Sequence, residues 1–331
     1  MTAGVAIALV LGSTACSDLR RDTDPTEEPS TGPSGEVTAG PSGEAISGTH
    51  EYALTVEGQR RTYRMHVPAS VAGEAGLPVV VFLHGGGGNA ELFEQVTDMN
   101  TVADDAGFVV VYPNGTGRAD DKLLTWNAGS CCAYARDEGV DDVKFMSSLL
   151  DTLTARFHTD PARVFVTGFS NGAMMAYRLG CELSDQITAI APVSGAMQME
   201  SCRPERQLPV LILHGTADAA VPYEGGASTR GTFPGAGTWV NQSVPYALDF
   251  WTQHNECPST PSTSRDGAVL RASYSPCARG TEVTLYTIEG GEHGWPGGEK
   301  ARERSDDEAP PEPDASAVVL DFFARSPGLG G

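Results

Sequence analysis

Residues 163–180 read RVFVTGFSNGAMMAYRLG. The first six, RVFVTG (163–168), are a mostly apolar run of the kind that fills a buried strand, and the stretch from Asn171 carries Met174, Met175 and Tyr177 at helical spacing. Between them stand Gly168, Phe169, Ser170, Asn171 and Gly172, a G-x-S-x-G sequence. Between a strand and a helix this pattern predicts a nucleophile elbow, a turn so sharp that the positions two before and two after the serine need glycine. The turn lifts the Ser170 hydroxyl off the sheet and sets it near the positive end of the following helix. A bare G-x-S-x-G also arises by chance; the strand before it and the helix after it give it meaning here.

Further runs of the same strand type surround this one. LPVVVFLH (77–84), FVVVYP (108–113), ITAIAPV (187–193) and LPVLILH (208–214) are continuous apolar stretches, and TEVTLYTIEG (281–290) is a weaker one. Such runs suit strands buried on both faces. Helical periodicity lies between them: in 140–157, Val143, Met146, Leu149, Leu150, Leu153 and Phe157 recur at three- and four-residue steps. Residues 171–182 and 243–254 are also helical candidates, and ASAVVLDFFAR (315–325) gathers Val318, Val319, Phe322 and Phe323 on one side. The alternation predicts an α/β fold, a mostly parallel central sheet with helices on both faces. EYALTV (51–56) and RTYRMHV (61–67) alternate around EGQR, which predicts a hairpin forming an antiparallel N-terminal edge. Residues 114–139 and 224–242 fit no element, and long irregular loops in a compact domain are commonly functional.

A serine hydroxyl is a weak nucleophile near neutral pH and needs a base, which needs an orienting acid. On folds with this elbow the acid and then the histidine follow the serine in sequence, each just after a later strand. LPVLIL leads into His214-Gly215-Thr216-Ala217-Asp218, so Asp218 is the candidate acid; TLYTIEGGEHGWPGG makes His293 the candidate base. Asp218 capping a turn is the plain alternative, and Asp185 and Asp249 sit in turn or helical contexts. Of the other histidines, His50 and His66 lie in the leading hairpin, and His158 and His254 end helical segments. His84 and His214 come before the serine or before the acid. Acyl transfer also needs donors for the developing oxyanion. Strand 77–84 ends in His84-Gly85-Gly86-Gly87-Gly88, and the backbone N–H of Gly86 would act with that of Asn171. A glycine turn of this kind also suits phosphate, but no GKS, GKT or dinucleotide fingerprint accompanies it. Trp295 and Trp126 are candidates for substrate contact through ring stacking, with core filling an equal alternative. Trp239 and Trp251 read as packing.

The chain has 331 residues, with 40% apolar and 20% charged, enough to bury a proper core. Its formal charge of −21 speaks against nucleic acid or an anionic membrane surface as partner, and leaves neutral polysaccharide- or polyester-derived substrates open. AGVAIALVLG (3–12) followed by Ser13, Thr14, Ala15 and Cys16 predicts a lipoprotein-type signal peptide over 1–15, cleaved before Cys16, with a lipid on the Cys16 sulfur. No Lys or Arg precedes that run, and Ser13 stands where a larger aliphatic is usual; a plain secretory signal is the alternative. Residues 16–48, rich in Pro, Ser, Thr, Gly and Glu, predict a disordered tether. A catalytic domain is expected over 49–326 and a flexible tail over 327–331. Of the seven cysteines, the six after Cys16 form no CxxC pair, which leaves zinc and thioredoxin-type readings without spacing. In an exported chain they suggest disulfides. Cys257–Cys277 is the shortest local closure, and fifteen connectivities are open.

Several segments together resemble the polyhydroxybutyrate depolymerase and feruloyl/acetylxylan esterase-like family of secreted α/β-hydrolases. They are HGGGGN (84–89), YPNGT (112–116), TWNAGSCC (125–132), VDDVKFM (140–146), GFSNGAMMAYRL (168–179), IAPVSG (190–195), HGTAD (214–218) with VPYEGG (221–226), and GGEHGWPGG (290–298). The resemblance covers nearly all of 49–326 in order. It implies the α/β-hydrolase fold, no metal or other cofactor, and a triad of Ser170, Asp218 and His293. Asp141 and Asp142 match the family's paired acids and are expected to be structural. The implied activity is hydrolysis of feruloyl, acetyl or hydroxyalkanoate-type esters. The absence of a visible polymer-binding domain tilts the expectation toward small or oligomeric substrates. The rival readings are a serine peptidase on the same fold and a non-catalytic cell-envelope binding lipoprotein. The expected location is the cell envelope or the extracellular space, with a membrane met only through the lipid anchor.

Overall fold

The hairpin comes first: β1 (Gly48–Val56) pairs antiparallel with β2 (Gln59–Val67) around Glu57 and Gly58. Next come β3 (Leu77–Leu83), the short helices α1 (Ala90–Val96) and α2 (Met99–Ala106), and β4 (Val109–Pro113). After α3 (Ala133–Asp137) and α4 (Asp142–Phe157), β5 (Thr159–Phe169) turns directly into α5 (Asn171–Glu182). β6 (Ala189–Val193), β7 (Val210–Gly215), the two-residue strands β8 (Gly226–Ala227) and β9 (Val240–Asn241), and α6 (Val244–His254) follow. β10 (Ser262–Asp266), β11 (Val269–Tyr274), β12 (Val283–Ile288) and α7 (Ala315–Arg325) complete the order. The computed structural model describes residues 1, 45–118, 122–230, 239–299 and 309–328. The expected signal peptide, Cys16, nearly all of the tether and the end of the tail lie outside the described residues. Every element above belongs to the compact unit Gly35–Gly331.

Ten strands form one sheet in the order β1-β2-β4-β3-β5-β6-β7-β12-β11-β10. The six from β4 to β12 run parallel, as their unbroken apolar sequences predict. Alternate residues face opposite ways. Val79, Val81, Leu83, Val164, Val166 and Ile212 meet α4, α5 and α6 on one face. Val80, Phe82, Phe165, Ala191 and Leu213 meet α1, α2 and α7 on the other. The expected α/β-hydrolase architecture is therefore present, with the N-terminal antiparallel edge in place. A second antiparallel edge, β11 with β10 beyond β12, was not foreseen. β10 reads STSRD and is exposed throughout, so it carries no apolar signature.

Among the described residues three disulfides are formed, Cys131–Cys132, Cys181–Cys202 and Cys257–Cys277, the last being the local closure expected.

Candidate active site

The carboxyl ends of the parallel strands hold the candidate residues. Ser170 follows β5 at φ 55° and ψ −118°, outside the usual regions for a non-glycine residue. Its own N–H donates to Val193 O (3.0 Å), and its carbonyl accepts from Met174 N–H (3.0 Å), so the turn is tied to β6 and α5. The flanking glycines are required by space. A Cβ on Gly168 would stand 2.7 Å from the Gly172 carbonyl carbon, and one on Gly172 would strike the carbonyl oxygens of Leu83 and His84. The elbow thus presses against the end of β3, where the Gly85–Gly88 turn begins.

His293 lies in the loop after β12. Its Nε2 is 3.0 Å from Ser170 Oγ and its Nδ1 is 2.8 Å from Asp218 Oδ2. The ring packs on Phe169, centroids 4.7 Å apart, and Ser194 Oγ–H donates to Gly294 O (3.1 Å), fixing the loop beside it. Asp218 follows β7 and is buried; its Oδ1 accepts from the N–H groups of Ala220 (2.9 Å) and Val221 (2.7 Å). The His214 Nε2–H points chiefly at Val221 O (2.8 Å), with Asp218 Oδ2 at 3.3 Å. Burial works to raise the Asp218 carboxyl, but the adjacent His293 and His214 rings outweigh it and hold it well below the usual carboxylate range. The three residues expected from order along the chain are therefore joined in one hydrogen-bonded line.

Asn171 begins α5, where a backbone N–H has no intrahelical acceptor. Its side chain is pinned on both sides by one residue: Trp126 N–H donates to Oδ1 (2.8 Å), and Nδ2–H donates to Trp126 O (3.0 Å). In the glycine turn, Gly87 N–H donates to Leu124 O (2.7 Å) and Gly88 N–H to Gly85 O (3.0 Å). Gly86 is half-buried, and among the described residues its N–H meets no acceptor. Two backbone donors thus remain open beside the elbow, as an oxyanion site requires.

Of the two alternatives open for Trp126 and Trp295, ring stacking on substrate and core filling, both residues take the second in the fold. Trp126 is fully enclosed, with Nε1–H donating to His84 O (3.0 Å), and Trp295 is buried against Phe82, with Nε1–H donating to Ser316 Oγ (3.1 Å). Their faces are used by the core, since the irregular loops carrying them fold inward. Asp141 caps α4 by accepting from Lys144 N–H (2.9 Å). Asp142 is buried, accepting from Arg61 Nη2 (2.8 Å) and Asn127 N–H (2.8 Å). Arg178 Nη1 donates to Asn127 O (2.7 Å), so the loop that pins Asn171 is itself clamped at both ends of one residue. Sequence reasoning missed His84, His214 and Ser194. The available signal was their place, each at or just past the end of a buried strand of the parallel sheet.

A family model described as esterase PHB depolymerase matches residues 61–205, and one described as TAP-like protein matches 171–261. The chain is 30% identical over 315 residues to NocK of Nocardia uniformis subsp. tsuyamanensis, which bears an esterase name; the match covers 89% of each chain. It is 30% identical over 236 residues to feruloyl esterase B of Piromyces equi, covering 68% of this chain and 41% of that protein. The acetyl xylan esterase from Aspergillus awamori superposes with a TM-score of 0.52 at 15% identity, over 74% of this chain and 94% of the other, a likeness of fold.

Proposed function

Because the chain belongs to the esterase PHB depolymerase family of α/β-hydrolases, we propose that it hydrolyses carboxylic esters through an acyl-enzyme on Ser170. Its class, carboxylic ester hydrolase, follows from that membership. The supporting observation is the hydrogen-bonded line from Ser170 through His293 to Asp218. Ser170 Oγ attacks the ester carbonyl carbon while His293 Nε2 takes the hydroxyl proton. Asp218 keeps the imidazole oriented and stabilises its charged form. The N–H groups of Gly86 and Asn171 receive the negative oxygen of the tetrahedral intermediate. As the intermediate collapses, His293 returns the proton to the departing alcohol. Water then attacks the acyl-enzyme and gives its proton to His293, which passes it to Ser170 Oγ as the bond to the acyl carbon breaks, releasing the acid and the free serine.

The substrate is a small or oligomeric ester of feruloyl, acetyl or hydroxyalkanoate type; the names of relatives support the first two and the description of the matching family supports the third. The protein works after export, which three disulfides favour, and it is held at the envelope by a lipid on Cys16. Ser170→Ala should lower p-nitrophenyl acetate turnover on the order of 10⁴-fold or more and abolish fluorophosphonate labelling. Unchanged turnover would refute the assignment. A panel of methyl ferulate, acetylated xylan and hydroxybutyrate oligomers identifies the acyl group.

A further inference from the structure

His84 takes no part in the proton transfers at Ser170, yet both its ring nitrogens are committed. The side chain is fully buried. Nε2 lies 3.0 Å from Gly115 N, and Nδ1 lies 2.9 Å from the Gly85 carbonyl oxygen. A backbone N–H only donates and a carbonyl only accepts, so Nε2 is the bare nitrogen and Nδ1 carries the hydrogen. A single neutral tautomer satisfies both. Burial pushes the ring down to about 4, with the Gly85 carbonyl pulling the other way and the Arg61 charge adding to the fall. The far side of the ring is fixed too: a Cβ on Gly115 would come 3.3 Å from His84 Cε1 and run into the Thr125 carbonyl oxygen.

The Gly85 carbonyl and the Gly86 N–H belong to the same peptide unit. In a planar trans peptide the two point in opposite directions, so holding the oxygen sets the direction of the hydrogen. Gly85, Gly86 and Gly87 have no side chains to resist rotation of that unit, and glycine loses more freedom on ordering than any other residue. The unit is held through its oxygen, from within the turn by the Gly88 N–H and from the buried ring before it by the His84 Nδ1–H.

We infer that His84 is a positioning residue for transition-state stabilisation: its Nδ1–H holds the Gly85 carbonyl so that the Gly86 N–H faces the acyl oxygen at Ser170. This rests on the esterase reading above and adds a residue to it.

Two substitutions divide the ring between them. His84→Asn offers an amide N–H near the Nδ1 position and gives up the link to Gly115. His84→Gln offers an oxygen near the Nε2 position and gives up the donor to Gly85. With p-nitrophenyl acetate, His84→Gln should lose about 10- to 100-fold in kcat at unchanged KM, and His84→Asn should stay within about threefold. Melting temperatures recorded alongside separate folding from catalysis. A folded Gln variant with wild-type kcat, or equal losses in both variants, overturns the role of His84. Ser170→Ala in the same series tests the underlying reading: if it stays active, that reading fails whatever His84 does. In the wild type, ring nitrogen NMR shifts should report the hydrogen on Nδ1, and finding it on Nε2 overturns the inference without any variant.

Discussion

An ordinary imidazole titrates near 6.5, whereas burial holds His84 near 4. Between those values the unfolded chain binds a proton that the folded chain refuses, so stability rises with pH across the window and the contribution is complete above about 6.5. The interval corresponds to about 3 kcal/mol. Urea unfolding followed from pH 7 down to 4 should show a loss of that order, and His84→Asn should remove this share of it. The buried pair of Arg61 and Asp142 is exposed to a different failure. Asp142→Asn leaves the guanidinium without its charge partner and weakens the hold on Asn127, which should cost about 3 kcal/mol in denaturant unfolding. At this scale the sequence was legible only in part. Ser170, Asp218 and His293 declare themselves by order, because each follows a recognisable strand. The use of His84 and His214 depends on which backbone groups meet their ring nitrogens, and that is decided by how the loops after β3, β4 and β7 fold back over the rings. The tryptophans stayed undecided between substrate and core for a related reason: an irregular loop does not show from its letters whether it turns in or out.

Among the elements, the parallel strands were readable because burial on both faces demands unbroken apolar runs. The outer hairpin of β10 and β11 escaped because its outermost strand faces water. Its one signal was Gly267, the first of the two turn residues after Asp266, at φ 51°. The short helices α1 and α2 were also missed, although Asn89 caps the first of them by accepting from Leu92 N–H. Helix α7 shows the value of such a cap: Asp314 accepts from Ala317 N–H (3.0 Å) at the start of a helix whose Val319, Leu320, Phe322 and Phe323 close one face of the sheet. Asp314→Ala should lower stability by about 1 kcal/mol, measured by thermal or urea unfolding.

For the molecule as a whole, cross-links supplement the core. Cys257–Cys277 joins the end of α6 to the loop after β11 across 20 positions, and a closure of that length is worth about 3 kcal/mol. The double variant Cys257→Ala, Cys277→Ala should lose a comparable amount in urea and respond less to added reductant than the parent. The sheet itself stops at two strands of polar character, β1 with Glu51 facing water and β10 with Arg265 held by Glu289. An unpaired strand is a template on which another chain can build, and charge at the margin makes such growth unfavourable. Extension of the sheet from copy to copy is therefore disfavoured at both of its margins, and the parallel strands at its centre stay shielded from such growth.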